Sequence, residues 1–199
     1  IWRALKNKNV YGTSGPRILL WFDLINSPKG KIPMGSEIIM SQNPRFAIKA
    51  AGSFKQKEGC SNESIDSLSD ERLDYLCAGE CYNPSNERNV IDGIEVIKIT
   101  PQIYSGEAIS PLIQDPWLIL PCQETGECAV EFVDQNFSRD SVYYVRVIQE
   151  ATPAINGSPL SQRDEFKLCK GSFRTDLQDN CLSMTNERAW SSPIYINKP

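Results

Sequence analysis

The chain contains no histidine. That absence removes Ser–His and Cys–His nucleophile pairs, every zinc site that needs an imidazole, and the commonest general base near neutral pH. Long apolar runs are missing too. The longest, "ILLWF" at 18–22, is strand-sized and well short of the roughly 20 residues of a membrane-spanning helix. Basic runs are also absent, and the formal charge of the 199 residues is −4. A chain of that sign gives a phosphate backbone little to hold, so no nucleic-acid partner is expected. The sequence opens on Ile1 without a recognisable leader. "IWRALKNKNV" reads as the tail of a helix belonging to something upstream, so a processed chain or a fragment is expected.

Cysteine, by contrast, is plentiful: Cys60, Cys77, Cys81, Cys122, Cys128, Cys169 and Cys181. This density is ordinary for an exported protein, periplasmic or extracellular, and high for a cytosolic one. The odd count leaves one thiol over, or paired outside the chain. Cys77-x3-Cys81 and Cys122-x5-Cys128 could together offer four thiolates to zinc, but structural zinc knuckles favour tighter spacings such as C-x2-C. A thioredoxin-like site needs C-x-x-C near a βαβ pattern, and neither is present. Disulfides are therefore the expectation, each stabilising by about 2–4 kcal/mol, mainly through the unfolded chain. The favoured pairs are Cys122 with Cys128, Cys169 with Cys181, and Cys60 with either Cys77 or Cys81. The leftover cysteine would reach a missing domain. Sequons at Asn62, Asn136 and Asn156 carry information only in a glycosylating host.

Along the chain, residues 2–9 suggest a short helix, ended by the glycines and proline of "YGTSGPRI". Strands are expected in "RILLWFDL" (17–24), "SEIIMS", "RFAIKAAGS", "IDGIEVIKITPQ" (91–102), "GECAVEFVD", "SVYYVRVIQE" and "SSPIYIN". In the third of these, Phe46, Ile48 and Ala50 alternate against Arg45, Ala47 and Lys49. In the fourth, Ile94 and Val96 share a face with Lys98, while Ile97 and Ile99 share the other with Glu95. A strand apolar on both faces suits a sheet covered on both sides there. Residues 53–90 and 156–187 are polar and hold five of the seven cysteines between them. They read as insertions held by staples, the first with a helix-like run in which Leu68, Leu73 and Leu76 form an apolar stripe. Six or seven short strands with such loops predict a mainly β chain. It is a β-sandwich with a short N-terminal helix and disulfide-rich loop insertions.

Few residues are placed for chemistry. Ser14 in "GTSG" is not a G-x-S-x-G elbow and has no histidine to activate it, so a tight exit from the helix is the simpler reading. Arg17 beside it has an anion-binding group. The acidic residues Glu80, Glu87, Asp92, Glu95, Asp134 and Asp140 are scattered, and "DQNFSRD" (134–140) lacks an EF-hand pattern, which favours a solvated turn over calcium. Tyr143, Tyr144, Trp190 and Tyr195 lie in or beside strands, where packing outweighs a carbohydrate platform.

The segment "ALKNKNVYGTSGPRILLWFDL" resembles the junction found in bacterial proteins of the DUF3604 family, relatives of the PHP (polymerase and histidinol phosphatase) metallohydrolases. Further likeness lies in "GECYNPSNERNVIDGIEVIKITPQ", "DPWLILPC", "YYVRVIQEATPAING" and "ERAWSSPIYI", so it runs over nearly the whole chain. It implies that residues 1–15 are the last helix and junction of an upstream catalytic barrel, and 16–199 a C-terminal β domain packed on it. The family's His, Asp and Glu ligands for a divalent metal, zinc or manganese, lie in that barrel and map onto no residue here. The chain is thus expected to carry no catalytic residue and to shape the mouth of the barrel's active site, with Ser14, Arg17, Glu80 and Tyr82 as rim residues. The parent would be an exported, phosphoesterase-like hydrolase by analogy only. Two rival readings are a free-standing secreted binding module for sugar or protein, and a zinc domain held by four thiolates. Self-association into a homo-oligomer is left open.

Overall fold

Alternation of side chains sets the architecture. The computed structural model describes residues 1–77, 81–155 and 182–199. In chain order the elements are α1 (Trp2–Lys6), β1 (Tyr11–Thr13), β2 (Leu19–Ser27), β3 (Gly30–Pro33), β4 (Glu37–Ile39), β5 (Arg45–Ala51) and β6 (Phe54–Glu58). Then come α2 (Asn62–Ser67), α3 (Asp70–Cys77), β7 (Tyr82–Arg88), β8 (Ile91–Ile99), β9 (Ile113–Pro121) and β10 (Glu127–Val133). The last three are β11 (Ser141–Ile155), β12 (Leu182–Ser191) and β13 (Ile194–Asn197). The protein is mainly β, with multiple sheets, as a β-sandwich requires. It divides into two units: Ile1–Ser53, Val90–Glu150 and Asn186–Pro199 in the first, Phe54–Asn89 and Ala151–Thr185 in the second.

The first unit holds the sandwich core. One sheet orders β10-β5-β2-β3, all antiparallel. Its inward rows are Leu20, Phe22 and Leu24 on β2, Phe46, Ile48 and Ala50 on β5, and Cys128 and Phe132 on β10, all buried. The other sheet follows the path β1-β12-β11-β13-β4, with β8 on β11 and β9 on β8. It contributes Ile94 and Val96 from β8, Tyr143, Val145 and Val147 from β11, and Ile194 and Ile196 from β13. Phe46 sits at the centre, 4.7 Å from Phe132, 5.4 Å from Phe22 and 4.8 Å from Tyr143 of the opposing sheet, measured between ring centroids. Ile97, on the outward face of β8, is buried as well, so that strand is covered on both sides at this point. The Cys122–Cys128 disulfide ties the end of β9 to β10, joining one sheet to the other across a short corner.

In the second unit β6 and β7 pair as an antiparallel ribbon, with α2 and α3 in the excursion between them. Ser61 caps α2, its hydroxyl accepting from the Ser64 N–H. No residue of either helix is buried, and Leu68 and Leu76 are exposed. The expected stripe is thus not a core face: the run is too short and too charged to bury one.

Other boundaries also differ from the sequence reading. Helix α1 stops at Lys6 because Lys8 turns left-handed, at φ 58°. Strand β9 was not expected, since prolines at 116 and 121 obscure its pattern. Nor was β3, hidden in turn-like "SPKGKIP", or β7, whose "YNPSNER" has no β composition. The proposed insertion at 156–187 contains the start of β12, and residues 156–181, with Asn156, Cys169 and Cys181, lie outside the described residues.

A charged knot crosses the core. Lys98, at the end of β8 among inward apolar neighbours, gives its ammonium to the Asp134 carboxylate just beyond β10. The Tyr143 hydroxyl donates to the same Oδ2 at 2.6 Å, and Asp134 Oδ1 accepts the Asn136 N–H at 3.0 Å. Lys98 also lies 5.1 Å from the Trp117 ring centre and 5.8 Å from that of Tyr143. Asp134 is fully buried, so the pair is held where water cannot replace a lost partner. This engagement also removes Asp134 from any calcium loop at 134–140. Tyr143 keeps its proton far above the usual tyrosine range, first because burial penalises the phenolate, then because its hydroxyl bonds to the Asp134 carboxylate.

Two outcomes follow for solution stability. Asp134→Ala leaves a buried ammonium unpaired and should cost about 3–5 kcal/mol in denaturant unfolding, whereas Asp134→Leu with Lys98→Met should cost much less. An equal loss in both would refute the knot's charge balance. Unfolded Tyr143 ionises near pH 10, roughly the ordinary value, while the folded side chain stays protonated. Above that pH the folded chain holds a proton that the unfolded chain has released, so stability falls as pH rises. The slope from this residue approaches about 1.4 kcal/mol per pH unit, and Tyr143→Phe should flatten the alkaline limb of the stability–pH curve.

Candidate functional site

Helix α1 is fixed at its C-terminal end and open along its length. Asn9 Nδ2 donates to the Met34 carbonyl at 2.7 Å, and the Gly35 N–H to the Pro193 carbonyl at 2.9 Å. Gly35 has φ +86°, and a Cβ there would stand 2.2 Å from the Lys8 carbonyl oxygen, so only glycine allows this approach. Yet no residue of α1 is buried, and Trp2 and Leu5 are 77% and 55% exposed. A second outward apolar group, Ile103, Tyr104 and Ile109, lies in the segment between β8 and β9. Arg139 holds that segment by pairing with Glu107 at 2.7 Å, and Glu107 also accepts the Ile103 N–H at 2.9 Å. These bonds, Arg139 first, hold the Glu107 carboxyl below its ordinary range.

Ser14 is not free for chemistry. Its hydroxyl donates to Glu187 and accepts the Arg188 N–H at 2.9 Å, while its N–H donates to the Arg188 carbonyl at 3.0 Å. It therefore extends the pairing of β1 with β12. Arg17 is exposed on the same unit. Tyr82 is exposed at the start of β7 in the second unit, and Glu80 lies outside the described residues. Ser14 and Arg17 thus lie on one unit and Tyr82 on the other.

The outward face of the β10-β5-β2-β3 sheet carries a groove of about 510 Å³. Cross-strand register sets it: Trp21, Lys49 and Ala129 form one row, Asp23, Ala47 and Glu131 the next. The two alanines make a low floor, and the large side chains stand around it. Trp21 is 46% exposed, with the Lys49 ammonium 5.7 Å from its ring centre. Lys31 on β3 pairs with Asp23 at 2.9 Å. Indole face, ammonium and carboxylates thus surround a shallow apolar base. Sequence reading passed over Trp21 because it lies inside an apolar run. The available signal was its outward parity against Leu20 and Phe22.

At the cysteines, Cys60 is bonded to Cys81 and Cys77 carries a free thiol, its Sγ 3.3 Å from Cys60 Sγ. All three sulfurs lie within 4.8 Å of one another. Because Cys122 and Cys128 are bonded to each other, the four-thiolate zinc reading has no ligand set. Among the described residues the side chains that converge closely enough to hold an ion are Cys60, Cys77 and Cys81. No helix among them is long and apolar enough to cross a membrane. Compared with known proteins, the chain matches no family model, no curated protein and no solved structure.

Proposed function

We propose that this chain is a non-catalytic β domain of an exported metal-dependent hydrolase, phosphoesterase-like by analogy, that packs on a catalytic barrel and shapes its active-site mouth. The observation that carries this reading is α1: anchored at one end by the Gly35 approach, it presents Trp2 and Leu5 to solvent. A fixed helix with an uncovered apolar side is what a domain interface needs on one of its halves. The ordered segment bearing Ile103, Tyr104 and Ile109 adds a second uncovered surface of the same kind. Export is supported by the Cys60–Cys81 and Cys122–Cys128 disulfides, a kind of bond that persists in oxidising compartments. The metal, zinc or manganese, belongs to the barrel in this reading.

The groove at Trp21 favours a second reading, a binding module for sugar. An exposed indole stacks on the apolar face of a pyranose ring, and Asp23, Lys49 and Glu131 can hydrogen-bond its hydroxyls.

Each reading has its measurement. For the first, the purified chain should turn over no phosphoester with added zinc or manganese, and turnover abolished by chelator would refute it. Trp2→Ala with Leu5→Ala should leave unfolding free energy within about 0.5 kcal/mol, since both side chains are largely exposed among the described residues. A larger loss would return them to an internal role and weaken the interface. For the second, tryptophan fluorescence titrated with neutral oligosaccharides should saturate, and Trp21→Ala should abolish the response. A response that survives that substitution places binding elsewhere.

A further inference from the structure

We propose that Cys60, Cys77 and Cys81 form a thiol–disulfide exchange site in which the bond at Cys60 moves between Cys81 and Cys77. In this step the Cys77 thiolate attacks Cys60 Sγ, the Cys60–Cys77 bond forms, the Cys60–Cys81 bond breaks, and Cys81 leaves as a thiolate that takes up the proton. One disulfide and one thiol stand on each side, so no oxidant or reductant is consumed.

Four observations support it. The attacking sulfur is already 3.3 Å from Cys60 Sγ. The three side chains are half-buried, so neither the thiol nor the bond is sealed from the proton exchange that the reaction needs. Because all three sulfurs lie within 4.8 Å of one another, Cys77 Sγ stands to one side of the S–S axis, and the in-line attack requires it to shift toward that axis. The two isomers are also closely balanced. The bonds span 21 and 17 residues, and loop-closure entropy changes slowly with length. The ladder itself keeps Cys60 beside Cys81 in either state, through the Gly59 N–H to the Cys81 carbonyl at 2.7 Å and Asn83 Nδ2 to the Gly59 carbonyl at 2.7 Å.

What moves is α3. It has no buried residue, so little packing opposes a shift. With Cys60 on Cys81 the end of α3 carries the free thiol, and with Cys60 on Cys77 that end is fastened to the ribbon and the thiol passes to the start of β7. The site thereby acts as a covalent latch, independent of which function proposed above holds.

Cleavage after glutamate separates the three cysteines into peptides 59–63, 72–80 and 81–87, which makes the test direct. The whole chain is incubated at about pH 8, where thiolate is present, then acid-quenched, alkylated with N-ethylmaleimide and mapped by mass spectrometry. Label should appear on both 72–80 and 81–87, in a ratio that becomes constant with time. Cys77→Ser should leave 81–87 unlabelled. Cys81→Ser, held in a glutathione redox buffer, should contain a Cys60–Cys77 bond while keeping its far-ultraviolet β signature. Label confined to 72–80, or absent from both peptides, overturns the proposal. So does zinc retained by the reduced chain in a native mass spectrum at the expense of exchange, which would make the three sulfurs a metal site.

Discussion

Much of the sandwich turns on one carboxylate. Asp134 stands where the two sheets face each other, and the Lys98 ammonium and the Tyr143 hydroxyl, cross-strand neighbours on the opposing sheet, both meet its Oδ2. Charges in an apolar interior tolerate little displacement, because each is costly without its partner. Sheet offset, the rotamer of Tyr143 and the position of the chain leaving β10 are therefore fixed together. The aromatic cluster depends on the same point, since Tyr143 is both the donor to Asp134 and the ring against Phe46. Hydrophobic burial supplies the bulk of the stability here, and the knot ties Lys98 and Tyr143 of one sheet to the chain leaving β10 of the other.

From this frame the outer surfaces gain their order. β2 and β5 are held by their inward phenylalanines, so their outward residues, Trp21 and Lys49 among them, keep a fixed spacing over the two-alanine floor. At the chain's early part, α1 is located by the Asn9–Met34 hydrogen bond and the close approach of Gly35 to Lys8, not by burial of its own apolar residues. Rigid placement with uncovered apolar groups distinguishes this helix from a frayed terminus.

The fold class was legible, because strand parity and β-branched content survive in most of the sandwich strands: Phe46, Ile48 and Ala50 face inward as their alternation demands. Lys98 was legible as a cation on the same strand face as Ile94 and Val96, but neither its burial nor its partner was. Nothing local to either residue links positions 98 and 134; only the packing of one sheet on the other does. β7 was illegible for a related reason, being a strand by virtue of β6 across from it, with a composition that argues for a turn. For the site, the cysteine spacing favoured Cys77 or Cys81 as the partner of Cys60 and could not choose between them, and the structure shows both within reach of one sulfur. The Trp21 groove depends on register between three strands, information that no single segment holds.

The pairing of β4 with β13 is parallel, and β1 pairs with β12. Strands from the first forty residues thus complete the sheet only against strands from the last eighteen. During synthesis, which proceeds from the N-terminus, β1 and β4 have no partner until residues 182–197 have been made. The two faces of the core, β2, β5 and β10 on one side and β8 and β11 on the other, are made before that, so the β1 and β4 edges are the last to pair and keep open strand edges until then.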